Sequence, residues 1–300
     1  MTALVVEVGP RDGLQNEPAI ISTADKIAFV DRLSDAGLPV IEVSAFVSPR
    51  WVPQMADAAE VFAGIRRRPG TRYAALVPNA RGLDRAIAAG VTDIGIFAAA
   101  SETFSRRNIN QSIDESFQTY AEVARTALAA GLRVRGYLST AFGCPFEGSV
   151  PADRVVALTT RLLELGVYEV AVSDTIGIAH PGQVRRLLAE LTRHVPSGSL
   201  ALHFHDTRGT ALANVLAALD FGIRTFDAST GGLGGCPYAP GASGNLATED
   251  LLYLLHGLEL DTGVDLDRVF EAACTMPPLV GHPVSSRYTQ ARLAAQAARD

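Results

Sequence analysis

Residues 152–177 read ADRVVALTTRLLELGVYEVAVSDTIG, and this stretch carries the repeat from which the chain is built. The amphipathic segment Ala152–Leu165, opened by Ser149-Val150-Pro151 with proline near the first turn, predicts a helix. Gly166 supplies the left-handed residue that ends it. The β-rich run Tyr168–Ser173 follows almost at once and predicts a strand, with Asp174 just beyond its carboxyl end.

The same unit recurs on both sides. Strands are predicted at Leu4–Val8, Val40–Ser44, Arg72–Val77, Asp93–Ala98, Arg133–Ser139, Leu200–His205 and Arg224–Ala228. Helices are predicted at Thr23–Ala36, Arg81–Ala89, Glu115–Ala130, Pro181–His194 and Ala211–Phe221, and Gly37, Gly90, Gly131 and Gly222 end four of them. Repeated strand–helix units force parallel pairing through right-handed crossovers. Eight of them suit a closed (β/α)8 TIM barrel better than the competing open, doubly wound sheet. No Pro/Ser-rich linker divides the chain, so one catalytic domain is expected over residues 1–300. The barrel would occupy about 1–260 and extra C-terminal helices about 261–300.

Composition narrows the function. A formal charge of −6 and a pI near 5.6 argue against nucleic acid as the main partner, because phosphate backbones call for a basic face. Cys144, Cys236 and Cys274 show no paired spacing and point to a reduced, cytoplasmic protein. The opening Met1-Thr2-Ala3 leads into an apolar run too short for a secretory signal, and no run reaches membrane-spanning length.

Mapped onto the strands, the reactive residues gather at one rim. Arg11-Asp12 follows strand one, and Glu42 lies in strand two. Ser101-Glu102 and Arg106-Arg107-Asn108 fall in the loop after strand four, and Cys144 follows strand five. Asp174 follows strand six, His203-Phe204-His205-Asp206 closes strand seven, and the glycine-rich Gly231–Asn245 follows strand eight. These are the carboxyl ends of the strands, where barrel enzymes place their chemistry.

His203 and His205, two apart on a strand, point to one face, so both imidazoles can enter the barrel mouth. Two histidines with one carboxylate and open positions make a divalent-metal site; the alternative is a pair of hydrogen-bonded rim residues. Asp12 is the expected carboxylate, because strands seven and one become near neighbours on closure, and Asn245 can add a carbonyl oxygen. A donor set without thiolate favours Mg2+ or Mn2+ over structural zinc. Arg11 reads either as a salt-bridge partner of Asp12 or as a guanidinium that stabilises an enolate oxygen. Adjacent residues on an extended segment point apart, which favours the second reading. Glu42 and Asp174 are ordinary rim carboxylates or acid–base groups. Cys236, in Gly231-Gly232-Leu233-Gly234-Gly235-Cys236-Pro237, is a candidate proton donor or acceptor on a loop able to close.

The segments VEVGPRDGLQNE (Val6–Glu17), FVSPRWVPQM (Phe46–Met55), Asn108-Ile109-Asn110, GCPFEG (Gly143–Gly148), DTIG (Asp174–Gly177), HFHDT (His203–Thr207) and Gly231–Asp250 are similar to those of the 3-hydroxy-3-methylglutaryl-CoA lyases, metal-dependent barrels of the aldolase-like superfamily. The resemblance runs nearly end to end. It implies that Asp12, His203, His205 and Asn245 bind the metal, that Arg11 steadies the enolate of the departing acetyl-CoA, and that Cys236 handles protons. Glu42 and Asp174 match polar residues of that family's site, and Arg107 and Asn108 match the region that meets coenzyme A, a part of the substrate. His203, or a water ordered by Asp174, would take the hydroxyl proton. The expected reaction is cleavage of a 3-hydroxy-3-methylglutaryl-CoA-like thioester to acetyl-CoA and acetoacetate, by a homodimer or other homo-oligomer. Ala45 and Ala171 stand where those lyases usually carry serine, and Thr230-Gly231 replaces a more apolar pair, which points to an altered acyl pocket. The rivals are a condensing enzyme joining acetyl-CoA to a 2-oxo acid, and a non-catalytic metal- or CoA-binding barrel. The first usually begins Thr-Thr-Leu-Arg-Asp, whereas here Val8–Asp12 reads Val-Gly-Pro-Arg-Asp.

Overall fold

The computed structural model describes residues 1–235 and 244–299. Eight strands form a closed parallel barrel in chain order: β1 Leu4–Glu7, β2 Val40–Ala45, β3 Arg72–Leu76, β4 Asp93–Ala99, β5 Arg133–Ser139, β6 Val170–Asp174, β7 Leu200–Phe204 and β8 Thr225–Ala228. Closure is made by β1 against β8, with Leu4 opposite Thr225 and Glu7 opposite Ala228. The predicted strands agree with these to within about two residues at either end.

Two kinds of interior result. Between strands and helices the packing is aliphatic: Val172, Leu202 and Phe226 are fully buried, as are Leu162, Leu188 and Leu191 on the helices Ala152–Glu164 and Pro181–His194. Each such side chain contributes about 1.5–3 kcal/mol by leaving water. Inside the barrel the filling is instead charged, with Glu42, Arg135, Tyr137, Glu169, His203 and Asp227 all buried. Tyr137 fits only because β4 carries glycine there: a Cβ on Gly95 would stand 2.7 Å from the Tyr137 ring.

The segment after β4, expected as a loop, is a helix, Glu102–Ile109. Ser101 caps it by accepting the Phe104 N–H at 3.1 Å, and Asn110 ends it in the left-handed region at φ 56°. Its run of polar residues hides the helical period, so the cap was the readable signal.

The C-terminal residues form the expected helices, Leu266–Cys274, Pro277–Val280 and Arg287–Ala297. Leu266–Cys274 lies against both Thr23–Asp35 and Thr248–Gly257, so the extension covers the seam where β8 meets β1. Two adjacent acids on Thr248–Gly257 hold the last helix. Asp250 accepts the Ser286 hydroxyl at 3.0 Å and the Arg287 and Tyr288 N–H groups at 3.0 and 2.8 Å. Glu249 accepts the Thr289 hydroxyl at 2.8 Å and the Gly231 N–H at 2.9 Å, tying that helix to the turn after β8. Among the described residues no helix is long and apolar enough to cross a membrane.

Candidate active site

After β1 the chain enters a tight π-type turn, Gly9–Gly13, in which Val8 O accepts the N–H groups of Arg11, Asp12 and Gly13 at 3.2, 2.7 and 3.1 Å. The buried Glu7 carboxylate anchors this turn to the segments that follow β8, the strand beside β1. It accepts the Gly9 N–H at 2.8 Å, the Thr230 N–H at 2.9 Å, and the Thr230 and Thr248 hydroxyls at 2.7 Å each. The sequence reading took the segment as extended, with Arg11 and Asp12 pointing apart. The turn brings the two together instead, and Arg11 Nη1 donates to Asp12 Oδ1 at 2.6 Å.

His203 and His205 emerge on one face of β7, their ring centroids 5.2 Å apart. The strand continues its pairing past its end: Leu246 N–H donates to Phe204 O at 3.0 Å and Asp206 N–H to Gly244 O at 3.2 Å. That pairing delivers Asn245 beside the histidines. Asn245 Nδ2 spends both hydrogens, on Asp12 Oδ2 and Leu233 O at 3.0 Å each, which turns Oδ1 away from them. One ligand-type atom from each of Asp12, His203 and His205 lies within 4.8 Å of the others.

Asn245 Oδ1 and His205 Nδ1 are buried and have no hydrogen-bond partner among the described residues. Buried polar atoms are seldom left so, since each costs about 1–3 kcal/mol. Independently of those two atoms, Asp12, His203 and His205 offer a carboxylate and two imidazoles with their ligand-type atoms gathered together, a donor set that fits a divalent metal. The electrostatics agree. Burial opposes ionisation of Asp12, but the Arg11 guanidinium and the histidines hold its carboxyl well below the usual range. Burial, with the charge of His203, pushes His205 down to about 4, leaving it uncharged at neutral pH.

A second layer was missed from the sequence. His203 Nδ1 lies 3.3 Å from Asp227 Oδ2, and its Nε2 faces Asp12 Oδ2 at 3.9 Å. Arg135 grips both Asp227 oxygens, at 3.2 and 2.7 Å, and also donates to Glu169 at 2.8 Å and to the Tyr137 hydroxyl at 3.1 Å. Tyr137 donates to Glu42, and Glu42 accepts from Arg11 Nε. Arg11 and Arg135 flank the Tyr137 ring at 6.0 and 5.0 Å from its centroid. A closed set of polar contacts therefore runs from Asp12 through Arg11, Glu42, Tyr137, Arg135 and Asp227 to His203. Burial opposes the charge on Arg11, yet Glu42, Asp12 and Tyr137 keep it firmly protonated. One signal was available: β5 presents Arg133, Arg135, Tyr137 and Ser139 at alternate positions, where a parallel barrel strand ordinarily carries aliphatic residues.

The remaining candidates divide. Glu42 lies beneath Arg11 and orients it. Asp174 ends β6, but its carboxylate accepts the Ile178 and Ala179 N–H groups of its own turn at 3.0 and 2.9 Å, and burial raises its pKa. Arg107 and Asn108 are exposed on the helix Glu102–Ile109, outside the buried cluster, with Arg107 stacked 4.2 Å from the Phe146 ring centroid. Cys144 is buried, its sulfur 3.0 Å from the Ser101 hydroxyl. Cys236 lies outside the described residues. Just before it, Gly235 O accepts from Asn16 Nδ2 at 2.9 Å.

Fold and site together define a barrel enzyme with a half-buried carboxylate beside buried imidazoles and an amide at the carboxyl end of its strands. The HMGL-like family model matches residues 3–276. The chain is 52% identical over 292 residues to the cytoplasmic 3-hydroxy-3-methylglutaryl-CoA lyase of Rattus norvegicus, covering 97% of this chain and 85% of that protein. The crystal structure of hydroxymethylglutaryl-CoA lyase from Pseudomonas aeruginosa superposes with a TM-score of 0.96 at 52% identity, covering 98% of each chain. An HMG-CoA lyase from Acinetobacter baumannii, in complex with coenzyme A and 3-methylmalate, does so with a TM-score of 0.92 at 40% identity, covering 97% of this chain and 95% of that one. The chain belongs to the HMGL-like family of carbon–carbon lyases.

Proposed function

We propose that the chain cleaves 3-hydroxy-3-methylglutaryl-CoA to acetyl-CoA and acetoacetate, using Mg2+ or Mn2+ held by Asp12, His203, His205 and Asn245. The observation that carries this reading is the meeting of Asp12, His203 and His205, one ligand-type atom from each within 4.8 Å of the others, beside a buried arginine. A bound divalent cation supplies a lowered pKa for the C3 hydroxyl and a fixed geometry for the reacting carbons.

The chain's own groups do the rest. A water ordered near Asp174 accepts the C3 hydroxyl proton as the bond between C2 and C3 breaks; His203, the other candidate from the sequence, already commits Nδ1 to Asp227 and Nε2 to the cation. Each Asp174 oxygen accepts one backbone N–H, from Ile178 or Ala179, and keeps a lone pair with which to order that water. Arg11 offsets the charge on the thioester enolate and is held for this by Glu42 and Asp12. Cys236 delivers the proton that completes acetyl-CoA. Arg107 and Asn108 meet the coenzyme A moiety, whose phosphates need positive charge.

We also propose one catalytic unit over the whole chain, since Glu249 and Asp250 tie the last helix to the turn beside the site. Self-association as a homodimer or other homo-oligomer would use apolar surface such as Trp51, which is 84% exposed. The free thiols Cys144 and Cys274 suit a reducing, cytoplasmic setting. The test is a metal-supplemented assay of 3-hydroxy-3-methylglutaryl-CoA and its 3-ethyl homologue, with products identified by mass. Acetyl-CoA and acetoacetate are expected with Mg2+ or Mn2+ and not with EDTA. Absence of both products under every metal condition removes the proposal. Cys236→Ser is expected to lower kcat by orders of magnitude while Mn2+ affinity is kept.

A further inference from the structure

From the buried contacts behind the mouth we infer that Asp227, clamped by Arg135, is the positioning residue that sets the orientation and tautomer of His203, and so the affinity of the site for its cation. The inference rests on the metal reading above and adds a residue to it from a strand, β8, that the sequence reading had left without any role.

The geometry has three parts. His203 Nδ1 is 3.3 Å from Asp227 Oδ2, and a carboxylate oxygen can only accept, so Nδ1 carries the proton and Nε2 is left with its lone pair. Nε2 is the nitrogen that faces Asp12, at 3.9 Å. Asp227 in turn cannot swing, because Arg135 takes both its oxygens in a planar two-pronged grip at 3.2 and 2.7 Å. Asp227 and Arg135 are 1% and 4% exposed, so water does not compete for these bonds. Carboxylates behind ligating histidines typically account for 10–100-fold in metal affinity. The arrangement is also specific within the cluster. Glu169 is buried and bonded to the same arginine, at 2.8 Å, yet no contact joins it to His203. It therefore offers a built-in control for the loss of a buried carboxylate as such.

The experiment measures Mn2+ binding to metal-free protein by electron paramagnetic resonance, with the absorption bands of the Co2+-loaded protein as a second readout. Asp227→Asn is expected to weaken Mn2+ binding by about 10–100-fold and to shift the Co2+ bands, with a native circular dichroism spectrum. Glu169→Gln is expected to stay within about threefold of the parent with unshifted bands. Mn2+ affinity within twofold of the parent in Asp227→Asn overturns the inference, and so does an equal loss in both variants, which would mark general loosening. If Asp227→Asn does not fold, Arg135→Lys keeps the charge but not the fork. There a loss of about three- to tenfold is expected, and none overturns the inference. Mn2+ binding absent from the parent protein as well would overturn the metal assignment itself rather than Asp227's share in it.

Discussion

His205 is a histidine whose burial, with a charged neighbour, pushes it down to about 4, and its Nδ1 has no protein partner among the described residues. Such a group costs stability unless something fills the space it faces. His205→Ala is therefore expected to keep the fold and to lose Mn2+ affinity by at least about 100-fold, read by equilibrium dialysis. Retained affinity would take His205 out of the ligand set. The legibility of this site was uneven at the same scale. His203 and His205 could be read because a period of two on a strand fixes a shared face, and Asp12 because closure makes strands one and seven near neighbours. Asp227, Arg135 and Tyr137 could not, because each acts through another side chain and no local pattern encodes a partner 92 or 95 residues away. The Arg11–Asp12 pairing was misread for a different reason: Gly9-Pro10 and Asp12-Gly13 are turn dipeptides, and the segment was nevertheless taken as extended.

At the level of elements, the helix Thr248–Gly257 joins the C-terminal extension to the mouth through Glu249. Burial raises that carboxyl from 4.5 to about 7. A folded-state value above the unfolded one means the folded protein binds the proton more tightly. The resulting stability is fully present below about pH 4.5 and is lost as pH rises through 7, a span worth roughly 3 kcal/mol. Glu249→Gln, which mimics the protonated side chain, is expected to flatten the fall in stability between those pH values in urea titrations. An unchanged slope would show that Glu249 does not carry the effect. The strands themselves were readable to within about two residues because glycine caps and apolar runs punctuate them. The helix Glu102–Ile109 was not, because a short polar helix lacks an apolar stripe and only its Ser101 cap marks it.

For the whole molecule, the proposed cation, held between the turn after β1, the end of β7 and the segment after β8, would bind the folded chain and not the unfolded one. At 100 times its dissociation constant such a ligand adds about 2.7 kcal/mol to the stability of the fold. Mn2+ is thus expected to raise the melting temperature of the metal-free protein by several degrees in calorimetry, and His205→Ala to abolish that rise. An equal rise in both proteins would place the ion elsewhere.

The bond between Asn245 and Asp12 joins residues 233 apart, across the place where the last strand lies beside the first. During synthesis the carboxylate of Asp12 must therefore wait, ungripped on that side, until residue 245 has left the ribosome. A chain cut short before that residue lacks the amide that holds this carboxylate in place.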